Sequence, residues 1–259
     1  LNLATRCSFF EVCYTFAGGL EADGELRAES GDVLTQFALI GAHQGSSAAA
    51  GTVSGIADLG TGSISSEGQG LTIGQLSSNR SGTAVGELHA AGVSGFGQQT
   101  VGTAGSNTAG SATGVLDVGS GGIDGGSLSV GTTSGDADAS GTVTSNGSVV
   151  LDSGVTIGTT SNTGAASGSL EITSGDLTLS GSLQVGNTTG AAATNTSASG
   201  SFDVDGAIAG ATGTLFVGSN RGLNSTANGS ITADSYTGDH GFLAVGRDDA
   251  GGSGTGALI

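Results

Sequence analysis

The sequence predicts an all-β fold, a parallel β-helix or β-solenoid of about eight rungs of roughly 28 residues each, a period that builds stacked, quasi-one-dimensional folds. Three observations predict it: glycines that recur at near-constant spacing, short apolar-polar-apolar runs between them, and no proline anywhere in the chain. The glycines that open each repeat are read as Gly24, Gly51, Gly86, Gly114, Gly141, Gly168, Gly200, Gly229 and Gly256.

The repeat at Gly168 shows the elements in order. Gly168–Ile172 is the first strand, Gly175–Leu179 the second and Gly181–Gly186 the third. In each, apolar and polar residues alternate, which puts Leu170, Ile172, Leu177, Leu179, Leu183 and Val185 inside and Glu171 and Gln184 outside. Glycines bound the strands, where a tight corner needs a positive φ or a close backbone approach. The third strand is the cleanest column, an apolar-x-apolar-Gly pattern at Gly41, Gly74, Gly131, Gly158, Gly186, Gly218 and Gly246, with Gln99-Thr100-Val101-Gly102 its one polar-led member. The interval from opening to closing glycine is nearly constant in seven of eight repeats, from Gly86–Gly102 at the shortest to Gly168–Gly186 at the longest. The exception, Gly51 to Gly74, reads as an insertion at a corner around Asp58–Gly62. The residues after each closing glycine, rich in Gly, Ser, Thr, Asn and Ala, read as loops protruding on one edge, where length variation is tolerated. A single rung buries too little apolar surface to offset the entropy of ordering its backbone, so the rungs must stack.

Residues 1–23 do not follow this repeat and are read as an N-terminal cap or docking segment, with the solenoid over 24–259. Half of the aromatic residues lie between the N-terminus and position 37: Phe9, Phe10, Tyr14, Phe16 and Phe37. Cys7 and Cys13 lie there too and are disulfide candidates. A bridge between them requires a turn within Ser8–Val12; otherwise their partners lie elsewhere. At the other end Gly256–Ile259 starts a further first strand, so Leu258 and Ile259 join Phe9, Phe10, Tyr14 and Phe16 as candidate assembly residues. Either the chain is a fragment or another subunit continues the helix.

Composition excludes several functions. The net charge is −17, with five arginines and no lysine, which speaks against binding to nucleic acid or to anionic membranes. No run approaches the length of a membrane-spanning helix. The chain begins at Leu1 without a basic-then-apolar leader, so a secretion signal is either removed or not included. The few cationic residues leave few sites for trypsin-like proteases, which suits an extracellular or cell-surface location. No catalytic, cofactor or metal set is evident: His43, His89 and His240 sit in different repeats and read as surface residues, and the acids are dispersed. The run Gly119–Gly126 is a single, mismatched likeness of a calcium nonapeptide, and Glu171 and Asp203 are the best outward acid pair. The outward third-strand column holds too broken a run of threonines for ice binding. Sequons begin at Asn79, Asn146, Asn187, Asn195, Asn224 and Asn228.

The pattern Gly-Ser-Leu-x-Ile/Val…Gly-x-Leu-x-Val-Gly, as in Gly168–Gly186, resembles the β-strand repeats of large secreted bacterial proteins, autotransporter passenger domains and surface adhesins among them. The resemblance covers roughly residues 24–259. It implies a right-handed parallel β-helix used for adhesion, surface coating or extracellular fibres, with no catalytic residues to carry over. The leading expectation is an extracellular structural β-solenoid that self-associates head to tail in a fibre, sheath or surface matrix. An adhesin or carbohydrate-binding stalk is the alternative, and a polysaccharide-degrading β-helix enzyme the third reading; carbohydrate and calcium are minor partner candidates.

Overall fold

In the computed structural model, residues 5–15, 21–44, 50–77, 81–106, 109–190 and 192–259 are described, with backbone alone for Thr5, Tyr14, Thr15, Ala211, Thr212 and His240. The described residues form a β-solenoid of about eight turns without helix, its strands all paired in parallel. Coils of about 28 residues stack so that each residue sits on its equivalent in the next coil. At the Gly168 coil, Leu170 lies between Val143 and Phe202, and Val185 between Ile157 and Val217. The alternation holds: Leu170, Ile172, Leu183, Val185, Leu215 and Val217 are buried, while Glu171 is exposed and Gln184 and Phe216 are partly exposed.

The register corrects one element of the sequence reading. Gly24 pairs with Gly55, and Gly55 with Gly86, so the opening glycine of the second coil is Gly55 rather than Gly51. Gly51 instead stacks on Gly82. The interval Gly55–Gly74 is only one position longer than Gly168–Gly186, and the apparent corner insertion shrinks accordingly. Asp58–Gly62 is a corner: Asp58 Oδ1 accepts a hydrogen bond from Gly60 N, and Leu59 enters the core.

The opening and closing glycines meet. A Cβ placed on Gly168 would lie 2.5 Å from Gly158 N, and one on Gly158 would lie 1.8 Å from the carbonyl oxygen of Ser199. The closing glycine is also left-handed, with φ of 58° at Gly158. The same contacts recur from Gly41 to Gly218. Two backbone columns therefore touch along the axis and pinch the cross-section into two lobes.

The larger lobe holds the Val, Ile, Leu and Phe core. The smaller lobe is built by the segments expected to be protruding loops. The third strands run through the closing glycine into this lobe, as in Leu183–Thr188, and bury the second residue beyond it: Thr133, Thr160, Thr188 and Asn220. Alanines two places before the opening glycine face them, with Ala84, Ala112, Ala139, Ala166, Ala198 and Ala227 buried. Leu76, Ala84, Ala104, Ala112, Ala137 and Ala139 form a second apolar cluster there. The hydroxyls are spent on the turn itself: Thr133 Oγ1 donates to Ala137 O and Thr160 Oγ1 to Gly164 O, both at 2.8 Å. In the longer minor-lobe segments a side-chain ladder takes the place of the threonine-to-turn bond: Thr188 donates to Asn220 Oδ1 and Asn220 Nδ2 donates to Asp248 Oδ1.

The pinch makes a graded prediction. Gly158→Ala, facing a carbonyl oxygen across the pinch, should destabilise by more than about 3 kcal/mol, since left-handed strain and a backbone clash add. Gly246→Ala, whose added Cβ would find its nearest atom at 3.3 Å, should cost only the strain, about 1–2 kcal/mol. Urea unfolding of the two variants measures the difference, and equal losses would show that the pinch is not a tight contact.

Candidate functional site

The residues singled out in the sequence fall at the two ends of the stack. Strand Thr5–Thr15 pairs in parallel with Val33–His43, setting Phe10, Glu11 and Val12 on Ala38, Leu39 and Ile40. The segment set apart as 1–23 thus carries a third strand in register with the repeat. Phe10 and Val12 enter the core, whereas Phe9 is exposed and stacks on Phe37 with ring centroids 5.5 Å apart and planes 11° from parallel. Tyr14 is placed by its backbone opposite Ala42; its side chain, and all of Phe16, lie outside the described residues.

Cys13 stands at the closing-glycine position of this first coil, with φ of 51°. The pinch is wider there. A Cβ on Gly24 would be 3.6 Å from Cys13 N, against 2.2–2.6 Å from the closing-glycine N in the coils opened by Gly55 through Gly256. The added room accommodates the side chain, whose sulfur approaches Gly24. Desolvation, with Asp23 adding to it, pushes the Cys13 thiol up from its ordinary value. Cys7 and Cys13 are both free. They lie on one extended strand with no turn between them, about 20 Å apart by strand rise, so a bridge from one to the other is excluded and any disulfide partner must lie elsewhere.

At the C-terminal end, Leu243 and Val245 are 57% and 41% exposed, whereas Leu215 and Val217, one coil earlier in the same columns, are at 1% and 0%. Leu258 and Ile259 are exposed as well. Beside them is a cluster the sequence reading missed. Phe216 and Phe242 lie 5.5 Å apart, Arg221 covers the first ring and Arg247 the second at 5.6 and 5.4 Å, and Asp249 sits 3.7 Å from Arg221 and 2.7 Å from Arg247. A signal was present in the outward Phe216, which breaks a polar column, and in two of the five arginines, Arg221 and Arg247, falling in successive repeats. Next to it Asp248 is held below the usual carboxylate range, first by the hydrogen bond from Asn220 and then by the amide of Ala250.

The remaining candidates lie along the stack between its ends. Glu171 and Asp203 are in-register neighbours flanked by Thr144 and Thr232. Gly119–Gly126 lies within a continuous strand, Ala109–Thr133. Among the described residues no three His, Cys, Asp or Glu side chains gather into a metal-sized group. His43 is buried in the minor lobe, which corrects its reading as a surface residue. His89 lies in a column with Arg27, Asp58 and Asp117. Its Nε2 faces Glu87 at 2.5 Å and its Nδ1 faces Asp117 at 3.4 Å. Asn187 is buried, with Oδ1 accepting from Ser219 N at 2.9 Å, and so cannot carry a glycan. The sequon at Asn79 lies outside the described residues.

No protein-family model, no curated protein and no solved structure matches the chain. The functional reading therefore rests on the residues and their geometry.

Cys13 and His89 each carry a measurable expectation. Replacing Cys13 with Gly should relieve the left-handed strain and stabilise the protein by about 1 kcal/mol, read as a higher midpoint in chemical unfolding; a lower midpoint would mean that the side chain contributes more than its backbone costs. For His89, desolvation lowers the pKa but the hydrogen bonds and charges of Glu87 and Asp117 outweigh it, and the net shift is upward from 6.5. A raised folded pKa means that the His89 contribution to stability is full below pH 6.5 and is lost as pH rises through the folded value. Comparing the pH dependence of unfolding in the wild type and His89→Gln should show the wild-type advantage shrinking across that window; a constant difference would refute the linkage.

Proposed function

We propose that the chain is a rod-forming structural element of a secreted or surface-displayed protein, stacking end to end in a fibre, sheath or surface matrix. The observation that supports this best is the repetition of the third-strand columns from coil to coil: Leu215 and Val217 cover Leu183 and Val185, and each coil offers its neighbour the same apolar pair. A parallel strand edge with apolar side chains draws another strand onto itself. Strand Thr5–Thr15 is shaped for that place. It belongs to the same third-strand columns, so in an incoming second copy Phe10 would come onto Leu243 and Val12 onto Val245. A heterologous contact of this kind does not close and propagates into a filament. The scarcity of cationic residues, which leaves few sites for trypsin-like proteases, and the resemblance to secreted bacterial repeats favour an extracellular setting.

The carbohydrate-binding or adhesin stalk is the second reading. The Phe216–Phe242 pair with the two arginines stacked over it favours it, because the exposed Phe242 offers apolar surface and the guanidinium groups offer donors to sugar hydroxyls.

The test is electron microscopy and light scattering of the full chain over a concentration series, together with a Glu11→Cys, Ala244→Cys variant in which Cys7 and Cys13 are serine. Filaments are expected, and oxidation of the variant should give a ladder of disulfide-linked oligomers, since in-register neighbours lie about 4.8 Å apart. A particle that stays monomeric at every concentration would reject the assembly. Filaments without a cross-linked ladder would reject this register.

A further inference from the structure

We propose that buried water molecules are bound in file along the closing-glycine kink, with the best-formed site between Asn187 and Ser219 beneath Phe216 and Arg221. The first residue after each closing glycine forms one column. Gln75 pairs with Thr103, Thr103 with Thr132, Thr132 with Thr159 and Thr159 with Asn187. The bridge between Thr188 and Asn220 carries the column on to Ser219. Four members of this column hold a buried polar atom with no protein partner: Thr103 Oγ1, Thr159 Oγ1, Asn187 Nδ2 and Ser219 Oγ. All four residues are more than nine-tenths buried, from 1% exposure at Asn187 to 9% at Thr159. Buried polar groups in folded proteins are almost always hydrogen-bonded, to protein or to ordered water.

The orientation of Asn187 sharpens the case. Its Oδ1 is fixed by the amide of Ser219, which leaves Nδ2 as a donor that the protein does not use. Asn187 and Ser219, with Thr188, Thr189, Phe216 and Arg221, line a recess of about 20 Å³. One water needs about 10–15 Å³ of such space, so the recess has room for one. A water there accepts from Asn187 Nδ2 and donates to Ser219 Oγ. Arg221, stacked 5.6 Å over Phe216 and 3.7 Å from Asp249, covers the site. The file also gives a physical reason why the kink column is polar. Valine at Thr159 or alanine at Ser219 would fill the same place in a dry structure and would leave no orphaned hydroxyl.

The experiment combines a crystal structure of the full chain with two near-isosteric variants. A solvent peak is expected within about 3 Å of both Asn187 Nδ2 and Ser219 Oγ. Ser219→Ala and Thr159→Val should each lower the folding equilibrium constant about fivefold, because each removes a water-satisfied hydrogen bond. A recess empty of density in a crystal that shows ordered water elsewhere in the protein would overturn the proposal. So would an equal or raised folding constant in both variants, the result expected when a hydroxyl without a partner is removed.

Discussion

Everything in this molecule depends on the contact between two glycine columns. The opening strand of one coil and the closing strand of the coil before it approach backbone to backbone, too closely for any side chain at Gly168 or Gly158. Because the contact involves no side chain, it is insensitive to what fills the lobes on either side. The larger lobe can be repacked from Leu170 and Val185 to Phe202 and Val217 without moving it. The smaller lobe can lengthen and change its turn chemistry from Thr160 to the Thr188–Asn220–Asp248 ladder. The pinch holds register where composition alone would allow slippage, since Gly- and Ser-rich strands specify their pairing weakly.

The coil was legible because its main lobe obeys the two-residue period and because a glycine forced into the left-handed region leaves an unmistakable punctuation. The one error of phase, Gly51 for Gly55, arose where two glycines stand close together and both belong to stacked columns; only the pairing partner distinguishes them. The minor lobe was hidden for a different reason. Its core is made of alanine, threonine and asparagine, residues that also make ordinary loops, and burial there is achieved by hydrogen bonding the hydroxyl to the turn. The column of alanines two places before each opening glycine was nonetheless a readable sign of a packed layer. At the N-terminal end, cysteine replaces glycine at position 13, and a pattern keyed to glycine passes over a strand that the pairing places in register.

The surface chemistry was the least legible part. Arg27, Asp58, His89 and Asp117 are far apart in the chain and become neighbours only through the stacking of equivalents. Phe216 and Phe242 meet diagonally across adjacent coils, since Phe216 pairs with Ala244 and Phe242 with Thr214, and each has its arginine, Arg221 or Arg247, a short way further along. In a solenoid the geometry of a site is a property of the period, so a slip of a single position in phase would assign different neighbours to every outward side chain.

The direction of the ladder has a mechanical consequence. The inter-coil hydrogen bonds of a parallel solenoid point along its long axis, so tension applied between the two ends loads them one coil after another rather than all at once in shear. Such a rod yields by peeling. Each released coil of about 28 residues pays out roughly 90 Å of extended chain. Under steady pulling the molecule would lengthen in even steps while the coils not yet reached keep their structure, as a brake that dissipates force over distance.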